Sequence, residues 1–237
     1  MHSAPLARSA VAVLLAFTFL VTPRMSLAQV CDPDTEARLQ FLETRLDEGQ
    51  ADAKLWWQAW MAVFTLGVVF SATLGALEDN NEKAAAQYVQ GAKSILGVAD
   101  LTFRPHVARH GAAPLRAIPK TTAAYCTERL TMAEDTMEKA AKMGAMRWNW
   151  KRHLWSLVLN LGAGIAIAEG ADEPEQGWQD FGISQVSAEI HIWTHPTRAV
   201  DDWSSYRTEF NGAPSAAAPS NWRFAASPGG VGVRWQF

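Results

Sequence analysis

The residues best suited to chemistry lie between 186 and 196, where Glu189, His191 and His195 bring a carboxylate and two imidazoles close together in the chain. Carboxylate with imidazole is a donor set for zinc or iron. Val186, Ala188, Ile190 and Ile192 alternate with Ser187, Glu189, His191 and Trp193, and this period of two predicts a strand closed by Pro196. Glu189 and His191 would share one face of it, and His153 or Glu169 could supply a third ligand. No HExxH or other short ligand spacing accompanies them. The solvated face of a half-buried strand explains the same residues without a metal.

Other reactive side chains have plainer readings. His106 and His110 are four apart, but Pro105 and Gly111 flank them, so the spacing predicts a basic, solvated loop over 100–120. Gly162-Ala163-Gly164 follows no strand and sits in an apolar run, which suits close helix packing rather than phosphate binding. Cys31 and Cys126 are the two cysteines of the chain, and both follow a secretion signal, so they are expected to form one disulfide in an oxidising compartment. No catalytic motif remains, no cofactor is implied, and the expected protein is not an enzyme.

These residues need elements to hold them. Asp32-Pro33-Asp34 opens a helix, since Asp can cap and Pro fits the first turn. From there Leu39, Leu42, Leu46, Gly49, Ala53, Trp56, Trp60, Val63, Gly67, Phe70, Leu74 and Leu77 alternate steps of three and four. That heptad seam predicts one helix over 33–77. Residues 55–77 lack any charge, enough to cross a bilayer at roughly 20 apolar residues. A shorter Ala-rich helix is predicted over 82–99, and a second long one over 122–168 whose end, 153–168, is apolar. The fold class read here is mainly α: two long helices and a shorter one, followed by a small α+β part over 171–237. That part holds the 186–193 strand, a helix over 197–210, an Ala/Pro/Ser linker over 213–220 and a closing β-hairpin.

The flanks decide the compartment. Arg8, an apolar run from Ala10 to Val21 and Ser26-Leu27-Ala28 form a signal peptide over 1–28. Its removal takes Arg8 and Arg24 with it, lowering the formal net charge by two, from −3 to −5, too acidic for a generic nucleic-acid binder. Val231, Val233, Trp235 and Phe237 resemble the closing strand of outer-membrane β-barrel proteins, although the likeness covers this tail alone and barrels need at least about eight strands.

Trp56, Trp57 and Trp60 open one apolar segment and Trp148, Trp150 and Trp155 the other, as indoles do at a membrane interface. The expected function is therefore that of an exported cell-envelope protein in the periplasm or at a membrane. It would act as a helical scaffold whose partner is the membrane, another envelope protein or a second copy of itself. The alternative is a binder of lipid or another hydrophobic small molecule between 82–99 and 154–168, and a metal-dependent enzyme ranks third. Two topologies compete. If 55–77 and 153–168 both span, Cys31 and Cys126 lie on opposite sides of the membrane; if the cysteines are bonded, the helices form a bundle that does not span.

Overall fold

A computed structural model describes residues 30–211 and the backbone of 221–227 and 230–236. The signal peptide and the 213–220 linker lie outside the described residues. The chain is mostly helical. Helix α1 (Pro33–Leu77) runs unbroken for 45 residues, its first amides capped by Asp32. Next come α2 (Asn81–Phe103), a 3-10 turn (Val107–His110), the single turn α3 (Ala113–Arg116) and α4 (Ala123–Ala145). A second 3-10 turn (Met146–Trp148) leads to α5 (Trp150–Ile165), which passes through a π-turn (Ala166–Gly170) to α6 (Pro174–Trp193) and α7 (Arg198–Asn211).

Cys31 and Cys126 stand 5.7 Å apart at Cα and are joined. Helices α1 and α4 therefore start together and run the same way, which removes the two-span topology: the two cysteines cannot lie on opposite sides of a membrane. Around the first half of α1 pack α4, α7 and the 104–120 segment. Their core is Leu39, Leu42, Leu46, Leu115, Leu130, Met137 and Tyr206, with Phe41, Trp203 and Phe210 at its edge. We call this the disulfide tier.

Three expectations are corrected here. The 104–120 segment is not solvated: Ala108, Ala112 and Leu115 are buried, and the segment descends along α1. Asp47 accepts the Ala112 amide at 2.9 Å and pairs with Arg116, and Lys120 reaches Glu36 at 2.7 Å. Gly111 has φ +55°, and a Cβ there would lie 2.8 Å from Asp47 Oδ1; the turn requires glycine. Second, 122–168 is not one helix. It breaks at 146–149, where the Asn149 side chain accepts the Lys151 amide and restarts the chain as α5. Third, 186–193 is helix rather than strand. Ile183, Val186, Ile190 and Trp193 recur every three or four residues, and the period-two alternation overlies that helical stripe. The body 30–211 thus contains no strand, and the expected α+β end is not part of it. Beyond it, the backbone of β1 (Asn221–Ser227) pairs antiparallel with β2 (Gly230–Gln236).

Above Trp56 the second half of α1 packs with α2, and α5 packs with α6. Small residues permit the approach. A Cβ on Gly97 would lie 2.5 Å from the Phe64 ring, and one on Gly177 2.5 Å from Gly164 O. The heptad seam fails in this half. Leu39, Leu42, Leu46, Ala53 and Trp56 are buried as expected, but the buried line continues through Ser71 and Gly75, while Val63, Phe70, Leu74 and Leu77 face outward. A straight helix has 3.6 residues per turn and drifts by about 20° per heptad from a 3.5 repeat, so after four heptads the seam has slipped by nearly one residue.

Candidate functional site

The two tiers meet at a waist crossed by α1, by the turn after α2 and by the turn between α6 and α7. Trp56 of α1 is buried at its centre. Its indole stacks on His191 from the end of α6, with ring centroids 5.0 Å apart and planes 16° apart. His195 lies 4.4 Å away and His106 6.2 Å away, and His106 and His195 are 4.9 Å from each other. Trp60 and Phe64 close the other side of His191 at 4.8 and 5.5 Å. Trp56 Nε1, both nitrogens of His106 and Nε2 of His191 are buried with no hydrogen-bond partner in the protein. Burial, then the nearby Arg109, lowers the pKa of His106 to about 4. Burial, then the nearby His106, lowers that of His195 to about 3, against the hydrogen bond to the Pro196 carbonyl. The rings are therefore neutral, packed as aromatics.

Of the sequence-derived ligand set, His191 and His195 meet around Trp56, but Glu189 does not join them. In a helix, residues two apart point to different sides, and Glu189 accepts from Gln185 Nε2 at 3.0 Å and binds His153 Nδ1 at 2.8 Å. Glu169 is exposed in the π-turn. Among the described residues no three His, Cys, Asp or Glu side chains are grouped to hold a metal ion. His106 takes the place that Glu189 was expected to fill. Its signal was the apolar recurrence Leu101, Ala108, Ala112, Leu115, which marks a packed segment rather than a loop. Beside His106 a cavity of about 20 Å³ is lined by Arg45, Asp52, Met137, Arg198 and Asp202, room for about one water.

The six tryptophans named from the sequence gather about this level. Trp57 donates to the Leu101 carbonyl at 3.0 Å under the Arg109 guanidinium, and Trp60 donates to Thr194 Oγ1 at 3.1 Å. Trp148, Trp150 and Trp155 are exposed, and Trp56 alone of the six is buried.

Above the waist the interior holds polar contacts beside buried Ala86 and Ile167. Lys93 of α2 pairs with Asp180 of α6 and donates to Ser184 Oγ at 2.7 Å. Asn160 and Ser156 of α5 donate to Gln185 Oε1 at 3.1 and 3.4 Å. His153 also binds the Arg147 carbonyl through Nε2 at 2.9 Å, so both of its partners are acceptors unless Glu189 carries the proton. The outer surface of the same helices is apolar. Val63, Leu66, Val69, Phe70, Ile95, Leu96, Trp155, Val158, Ile183 and Val186 are exposed on it, Ile183 by 73%. In the 18-residue window of α1 that is apolar enough to cross a membrane, 11% is buried. Comparison with protein-family models, with curated proteins and with solved structures found no match.

Proposed function

We propose that this protein is a membrane-embedded, non-enzymatic scaffold of the cell envelope, with its upper tier in the bilayer and its disulfide tier presented outside. One observation carries the reading: the upper tier buries Asp180 and Asn160, bonds them to the half-buried Lys93 and Gln185, and turns its large apolar side chains outward on α1, α2, α5 and α6. Water would reward the reverse, and lipid rewards this arrangement. Lengths agree. The second half of α1, then α2, α5 with its π-turn, and α6 each supply 20 or more residues, about 30 Å at ~1.5 Å per residue. Four crossings return the chain to its starting side, so embedding and a Cys31–Cys126 bond are compatible.

The orientation follows from the disulfide, which persists in oxidising compartments, and from the expected signal peptide. The far pole, with Glu78, Asp79, Glu82, Asp172, Glu173 and Glu175, then faces the cytoplasm. This opposes the usual excess of Lys and Arg on that side, so orientation needs its own measurement. The expected C-terminal hairpin completes this reading as an appendage of the outer tier, because α7 ends at the disulfide pole, where Arg38 binds Asn211.

Asp79→Cys and Lys139→Cys, probed with a membrane-impermeant maleimide in intact cells and in inside-out vesicles, should be labelled from opposite faces, Lys139→Cys from outside. Labelling of both from one face would overturn the spanning reading and leave an envelope bundle whose apolar coat is covered by another protein. Labelling of Lys139→Cys from the cytoplasm alone would overturn the orientation.

A further inference from the structure

Where the apolar coat ends at the waist, cations collect. Arg104, Arg109, Arg147, Lys151 and Arg152 stand against Asp100 and Glu189. The carboxylates are already engaged. Asp100 pairs with Arg104 at 3.7 Å and with Arg152 at 3.4 Å, and Glu189 binds His153. Arg109 lies over Trp57 and donates to His110. Arg147 is different. Its guanidinium lies 5.5 Å from the Trp148 ring centroid and 5.2 Å from that of Trp193, with no carboxylate near it. Its Nε is buried without a partner, and burial alone moves its pKa, downward. Lys151, past the break at Asn149, also has no ion pair in the described structure. Arg147 stands in the 3-10 turn that leads into α5 and Lys151 in the first turn of α5.

We propose that Arg147 and Lys151, framed by Trp148, Trp150 and Trp193, form a binding site for the phosphate of an anionic phospholipid headgroup. The inference rests on the bilayer reading above. A fork of guanidinium donors matches a phosphate diester, a second cation selects a lipid of net negative charge over a zwitterionic one, and the indoles flanking the fork occupy the depth at which headgroups lie. The exposed faces of Trp150, Leu154 and Val158 rise from this point along α5, offering the acyl chains an apolar track continuous with the headgroup site. An acidic peptide would find the same two cations but no use for that track, and so the lipid is the occupant the surface fits.

The test uses the full-length mature protein in nanodiscs of phosphatidylcholine, alone or mixed with phosphatidylglycerol, followed by native mass spectrometry of the lipids that stay bound. Phosphatidylglycerol should be retained at least about tenfold over phosphatidylcholine, the factor of about 1.4 kcal/mol expected of one charge-assisted contact. Arg147→Gln with Lys151→Gln should abolish the preference, while Arg104→Gln, at a cation already paired, should leave it unchanged. Arg147→Lys should keep the charge and part of the preference, which separates loss of the site from loss of the fold. Entry into both discs without any preference, or a preference that survives the double substitution, would overturn the site and leave the bilayer reading intact. Failure to enter discs of either composition would overturn both.

Discussion

Below Trp56 the bundle hides leucines and shows charges, and above it the bundle hides a lysine, an aspartate and amides and shows leucines, valines and tryptophans. The lower half is ordered by water. Leu39, Leu42 and Leu46 leave solvent, while Arg38–Glu134, Arg129–Glu43 and Arg45–Asp202 ring the core. The upper half gains nothing from gathering apolar groups inside if its surroundings are already apolar. Its helices are held by close approach at glycine and by polar contacts between them. One helix, α1, belongs to both, and the two halves of its sequence differ accordingly: charges every few residues up to Lys54, none from Leu55 to Leu77. One continuous helix thus follows opposite burial rules in its two halves.

Substitutions can break this contrast. Asp180→Leu should have the largest effect, because it leaves the half-buried Lys93 with Ser184 but without a counter-charge, at a cost of about 3–5 kcal/mol. Thermal unfolding in mild detergent would read it, and Lys93→Met with Asp180→Leu should recover most of the loss. If the double variant is as weak as the single one, the pair contributes more than mutual neutralisation.

Leu42→Ala in the disulfide tier should cost about 2–5 kcal/mol, since Leu42 is fully buried in the apolar core. The matched truncation Ile183→Ala in the upper tier should stay within about 0.5 kcal/mol in detergent. Equal losses in the two variants would mean that Ile183 is covered by protein rather than by lipid.

The boundary should respond to pH. His106 and His195 have lowered pKa values in the folded protein, so the native state holds them neutral. The stability this contributes is complete above the unfolded value of 6.5 and declines as the pH falls, levelling off once the folded values of about 4 and about 3 are passed. Between about pH 7 and pH 5 the loss should be on the order of 2 kcal/mol per histidine by linkage. Unfolding curves at the two pH values would measure it, and His106→Phe should flatten the dependence. An unchanged slope in that variant would place the acid sensitivity elsewhere in the cluster, His191, whose pKa burial lowers to about 4, being the nearest other group with the same sign.

Several features follow from the chain alone. Asp32, Asn80 and Thr122 each accept a first-turn amide, so caps written in the sequence start α1, α2 and α4. The two cysteines predict their own pairing, and an uncharged run marks where the second half of α1 changes character. Local grammar suffices for these because each depends on residues within a turn or on a count of one. The sequence is silent on what depends on neighbours. Whether Ile183 and Val186 face in or out, and whether Glu189 keeps company with His191 or with His153, is set by which helix lies alongside. A period-two alternation and a helical stripe can share the same letters, and only packing chose the helix for Pro174–Trp193. The waist is the furthest from legibility. Trp56, His106, His191 and His195 are separated by up to 139 positions in the chain, and they meet only because three separate crossings between the tiers occur at one height, which no local pattern encodes.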